Sequence, residues 1–158
     1  MNDFELAKKY FQEGMYFFKQ NDFHSAEKSF IKSLRYLPDR VSTLINLCAS
    51  QIKLKKYIEA KENVKKVTLL EKDNIEAILN LGIIEKHIGN LADAICLFDK
   101  AISANPEYVD AIFNKGNALH EINNFQEALM LYEKAQALGM QNLEIYLNKG
   151  STLHHLKR

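Results

Sequence analysis

Gly14, Cys48, Gly82, Gly116 and Gly150 stand 34 residues apart, from near the start of the chain to near its end. Ala26, Ala60, Ala94 and Ala128 keep the same spacing. Four residues after each alanine comes a bulky side chain, Phe30, Val64, Phe98 and Tyr132, and three before it another, Phe23, Tyr57, Leu91 and Phe125. Four ladders with one period mean one structural unit repeated along the chain. A unit of that size buries its apolar face only by packing against its neighbours.

The ladders read as two helices per unit. A small residue in the middle of each helix lets the other approach, where a long side chain would hold them apart. Turn residues separate the two helices: Gln20-Asn21-Asp22, Ile88-Gly89-Asn90 and Ile122-Asn123-Asn124. Asn21, Gly89 and Asn123 share a slot and are residue types that tolerate a left-handed helix cap; Lys55 fills the slot in the second repeat and fits it less well. Between repeats, Leu37-Pro38-Asp39 and Asn105-Pro106-Glu107 stop one helix and lead into the next, with Lys72 and Met140 in the proline slot elsewhere. Helices are expected at 3–20, 23–36, 41–54, 57–70, 75–88, 91–104, 109–122, 125–138 and 143–156.

Repeat three reads Ile78-x-x-Leu81-Gly82, then Ala94, Phe98, Ala101 and Pro106. This pattern, in register through four repeats and half a fifth, resembles the tetratricopeptide repeat over essentially the whole chain. The resemblance implies an all-α fold, a right-handed superhelical solenoid of antiparallel helix pairs in which the first helices line a concave groove. The repeats are then 7–40, 41–74, 75–108 and 109–142, with a half repeat at 143–158, in a single domain over 1–158.

Two residues before each small residue stand Gln12, Asn46, Asn80, Asn114 and Asn148, a slot that faces the groove in the family's geometry. An amide offers the donor and acceptor that a peptide backbone presents. One amide per repeat grips an extended chain regardless of its sequence, or else bonds only to neighbouring helices. The ladder is similar to that of the repeat array of O-linked N-acetylglucosamine transferases. Phe11, Ile45, Leu79, Phe113 and Leu147 precede it, and Met15, Ala49, Ile83, Asn117 and Ser151 follow three places later. The candidate peptide-binding set is Gln12, Asn46, Asn80, Asn114, Asn117 and Asn148 with Phe11 and Phe113. The two phenylalanines serve as groove edge or as core. Some relatives clamp acidic chaperone tails with basic residues; here those slots hold Phe11 or Ile45, and Glu76, Asn80 or Asp110, so that clamp is absent.

Other chemistry finds little support. The net charge is +1 and the arginines are only Arg35, Arg40 and Arg158, a poor set for reading phosphates, so no nucleic-acid partner is expected. The polar, acidic start is unlike a signal peptide, and no apolar run approaches the ~20 residues of a membrane span. Cys48 and Cys96 form no CxxC pair, which fits a reduced, cytoplasmic protein. Cys48 in the small-residue slot reads as buried packing. His87, His120, His154 and His155 lack the companions of a zinc site, so no metal or other cofactor is expected, nor a catalytic residue. If the histidines line the groove, binding weakens below about pH 6.5 as they charge. The lysines of repeat two, Lys53, Lys55, Lys56, Lys61, Lys65 and Lys66, alternate with Glu59 and Glu62 like a solvated outer face.

The half repeat keeps Tyr146, Leu147, Gly150, Leu153 and Leu156, the packing residues of a first helix whose second helix is missing. Either the protein continues or a second chain covers this face, and symmetric pairing through it gives a dimer. The expected function is a non-catalytic protein- or peptide-binding scaffold or adaptor. The alternatives are a self-assembling structural module and the regulatory repeat segment of a larger enzyme.

Overall fold

The computed structural model describes residues 2–157. Among the described residues the chain forms nine α-helices and no strand. They are α1 (Asp3–Lys19), α2 (Phe23–Tyr36), α3 (Val41–Lys53), α4 (Tyr57–Leu70), α5 (Ile75–His87), α6 (Leu91–Ala104), α7 (Val109–Glu121), α8 (Phe125–Ala137) and α9 (Leu143–Leu156). Every expected helix is present, with ends within one residue of the expected ones. The contacts gather into two compact units, residues 1–80 and 81–158, with the division inside α5.

The turn slot inside each repeat is a left-handed cap in all four cases. Asn21, Lys55 and Asn123 have φ of 59°, 60° and 62°, and Gly89 has 92°. Each closes its helix with the same two backbone bonds; at α1 the Asn21 N–H donates to Phe18 O and the Asp22 N–H to Phe17 O, both at 3.0 Å. At Lys55 the same bonds form despite its Cβ, from the Lys55 N–H to Ile52 O and from the Lys56 N–H to Gln51 O. A fifth left-handed residue was not foreseen. Gly139, at φ 100°, ends α8, whereas α2, α4 and α6 end on the extended residues Leu37, Glu71 and Asn105. Glycine takes that conformation without a steric penalty, and stands in for the proline stop that follows α2 and α6.

Small-residue slots set the depth of packing. A Cβ added to Gly14 would lie 2.5 Å from the Phe30 ring, one on Gly82 2.6 Å from Phe98, and one on Gly116 2.8 Å from Tyr132. Each ring therefore rests on bare backbone. Where the slot holds Cys48, fully buried, the ring slot holds the smaller Val64, so the added atoms of one side are removed from the other. Burial also pushes the Cys48 thiol up to about 12.

The two units fill other slots differently. In the first, Glu27, Gln51 and Asn63 are buried and linked: Gln51 Nε2 donates to Glu27 Oε1 at 3.3 Å and Asn63 Nδ2 to Gln51 Oε1 at 2.8 Å. Lys56 Nζ donates to Glu27 Oε2 at 2.7 Å, so this lysine belongs to an internal network and not to a solvated outer face. In the second unit the same slots carry Ile95 and Leu129, Glu85 and Leu119, and Leu97 and Leu131, so five of the six are apolar. The second unit is correspondingly apolar, built on Ile112, Leu119, Ala128, Tyr132 and Ile145.

Two stability outcomes follow from these slots. Lys55→Asn relieves a left-handed lysine and raises the unfolding free energy by about 0.5–1 kcal/mol, read as a higher urea midpoint at constant slope. Gly14→Cys costs about 1–3 kcal/mol by overpacking, and adding Phe30→Val, which copies the Cys48 and Val64 pair, recovers part of the loss in a double-mutant cycle.

Candidate functional site

The first helices α5, α7 and α9 border a polar cavity of about 190 Å³ in the second unit. Lys86 comes from the last turn of α5, and Asn117, His120 and Glu121 from the C-terminal half of α7. Glu144 and Asn148 come from the first turns of α9, and the phenol of Tyr132 reaches in from α8. Residues three or four apart share one face of a helix, so Asn117, His120 and Glu121 present together.

A short hydrogen-bond chain organises the cavity wall. Tyr132 Oη donates to Asn117 Oδ1 at 2.9 Å, and Asn148 Nδ2 donates to the same oxygen at 2.9 Å. Asn148 O in turn accepts from the buried Thr152 Oγ1 at 2.7 Å. Burial raises the Tyr132 pKa, and the negative charges of Glu121 and Glu144 raise it further. Lys86 Nζ lies 3.7 Å from Glu121 Oε1, beyond good hydrogen-bond range.

His120 borders a ring cluster. It meets Phe125 edge-on at 5.1 Å and His155 at 5.7 Å, while Phe125 and His155 stack at 4.5 Å and 3°. Its Nε2 is 3.4 Å from Ser151 Oγ. Its pKa is lowered by burial and then by His155, with Glu121 acting the other way. Among the described residues no group of three histidine, cysteine or carboxylate side chains is placed to hold a metal ion.

The residues singled out from sequence separate here. Asn117 and Asn148 meet in the cavity wall. Asn46 and Asn114 turn back on their own helices, each Nδ2 donating to a carbonyl one turn earlier, Ser42 O at 2.7 Å and Asp110 O at 2.8 Å. Gln12 is exposed on α1 and Asn80 is buried. Phe11 lies between the Phe30 ring at 5.9 Å and the Arg40 guanidinium at 4.5 Å. Phe113 is 5% exposed against Tyr132, a core position. Glu121, Glu144 and Lys86 were not singled out, because no single register contains them. Tyr132 did leave a signal: the repeat with asparagine at the slot of Asn117 is also the one with a hydroxyl on its ring residue.

A family model described as the tetratricopeptide repeat matches residues 79–143. Over those residues the chain is a tetratricopeptide repeat protein. Its repeats are similar to part of FK506-binding protein 59 of Drosophila melanogaster, 29% identical over 111 residues, covering 63% of this chain and 25% of that protein. The chain thus spans about a quarter of the length of that relative. Among solved structures, MamA aligns over 97% of this chain and 84% of its own, with TM-score 0.72 and 25% identity. The thermophilic repeat protein TTC0263 of Thermus thermophilus aligns over 96% and 84%, with TM-score 0.84 and 19% identity.

Removing the phenol oxygen tests the hydrogen-bond chain. Tyr132→Phe lowers stability by about 0.5–1.5 kcal/mol, and adding Asn117→Ala costs less than it does in the wild type, by thermal or urea unfolding. His120 adds a pH dependence. Its folded pKa lies below the ordinary 6.5, so its stabilising contribution is present above that value and is lost as pH falls through the folded pKa. The melting-temperature gap between wild type and His120→Asn therefore narrows from pH 7.5 to pH 5.

Proposed function

We propose that the chain is a non-catalytic scaffold that holds an extended polypeptide against the first helices of its repeats. The observation that supports this most is the cavity itself. Three successive first helices contribute to one polar surface, and two of the amides expected to face a ligand, Asn117 and Asn148, stand side by side in it. The gripping surface is therefore narrower than a ladder of equal amides, since Asn46 and Asn114 spend their donors within their own helices. Each remaining bond to a peptide contributes about 0.5–1.5 kcal/mol. Binding is modest, and specificity rests on neighbouring side chains. No helix among the described residues is long and apolar enough to cross a membrane. Free thiols at Cys48 and Cys96 suit a reducing, cytoplasmic setting.

A second reading, self-association, has its own observation. Leu143, Tyr146 and Leu147 on α9 are 73%, 53% and 61% exposed, and a Cβ on Gly150 would meet nothing within 4 Å. A single chain with that face open offers it to a second copy.

Panning a random peptide library on the immobilised protein tests the first reading: wild type enriches peptides, and Asn148→Ala weakens all of them by a similar factor while the helical circular dichroism is kept. Sedimentation velocity separates the second. If it holds, the chain dimerises at high concentration, Leu147→Lys abolishes the dimer, and no peptide is enriched.

A further inference from the structure

The same hydrogen-bond chain decides which polarity the cavity shows a visitor. Tyr132 Oη and Asn148 Nδ2 both point their donors at Asn117 Oδ1. The phenol is left with its lone pairs to offer, and Asn148 with its carbonyl oxygen and the second of its two N–H donors. The other donors are the Asn117 amide and Lys86, whose side chain is only 11% exposed and leans toward Glu121.

Charge runs the same way. Two carboxylates, Glu121 and Glu144, border the cavity against one cation, Lys86. Glu121 lies 3.7 Å from that lysine and is itself exposed, and Glu144 stands exposed at the first turn of α9. His120 adds no full charge at neutral pH, since burial and the adjacent His155 keep it neutral. The other groups packed near His120 are Ser151 and Phe125, which carry none. Burial first, and then the same two carboxylates, keep the phenol pKa above its ordinary value, so the phenol stays neutral here. At about 190 Å³ the cavity is smaller than the ~300–1,000 Å³ usual for small-molecule sites, and it matches a single side-chain head.

We propose that this cavity takes the cationic head of a lysine or arginine from a bound polypeptide, set between Glu121 and Glu144 with the Tyr132 and Asn148 oxygens as acceptors. An ammonium carries three donors and no acceptor, and a guanidinium five, which is what a wall of acceptors and carboxylates satisfies. The proposal rests on the peptide-holding reading above and adds to it the class of residue selected. Acidification opposes the interaction, because a proton on His120 places a second positive charge beside the site.

Fluorescein-labelled, end-blocked nonapeptides of alanine, serine and leucine, differing only in a central lysine, leucine or glutamate, test it by fluorescence anisotropy at low salt. The lysine peptide is expected to bind about three- to tenfold more tightly than the leucine peptide, with the glutamate peptide weakest. The lysine preference shrinks as salt is added. Glu121→Gln with Glu144→Gln, at positions exposed enough to leave the helices intact, removes the preference and leaves the leucine peptide unchanged. Glu144→Lys moves the preference to glutamate. Equal binding of the three peptides by wild type, or a preference that survives the double glutamine variant, overturns the cation assignment and leaves the peptide-holding reading standing. Failure of all three peptides to bind overturns both.

Discussion

Everything in this fold depends on how closely two helices of one repeat approach. Three times a ring, Phe30, Phe98 or Tyr132, sits on a glycine whose added Cβ would lie 2.5–2.8 Å away. A ring resting on bare backbone fixes helix separation more tightly than apolar burial alone, because burial is indifferent to direction and a steric wall is not. The alanines four residues earlier, all fully buried, set the approach on the other side. Caps, turns and inter-repeat junctions then need only deliver the chain to the right starting point.

The same constraint explains what could be read from residues alone. Packing slots recur with the period, so the helices, their ends, the left-handed caps and the burial of Cys48 were legible before any coordinates. Lys55 was legible as a misfit, and the structure places it in the left-handed conformation at φ 60°. Gly139 was not read as a cap, because the expected stop at that junction was a proline slot, and a glycine one place earlier performs the same task by a different backbone route.

The site was legible only in part, for a physical reason. A ladder marks residues equivalent within each repeat, whereas a cavity gathers residues inequivalent between repeats. Lys86, Glu121 and Glu144 come from three registers on three helices, so no spacing rule collects them. The amides were found but their bonding was not, since an asparagine side chain chooses between its own helix and a neighbour by local geometry. Asn46 and Asn114 chose the carbonyl one turn back, and Asn148 reached across to Asn117. The internal network of Glu27, Gln51 and Asn63 escaped for a similar reason, since its members are ordinary surface residue types that become partners only after the helices pack.

The bond from Asn148 to Asn117 has a consequence for α9 as a whole. Apolar surfaces let one helix slide along another in steps of a turn at little cost, because one leucine replaces another. A directional bond between two particular amides, shared with a phenol from a third helix, does not permit such sliding. The last helix is keyed to the preceding pair the way a tooth holds a ratchet, so the position of Glu144 beside the cavity is fixed from inside the protein before any ligand arrives.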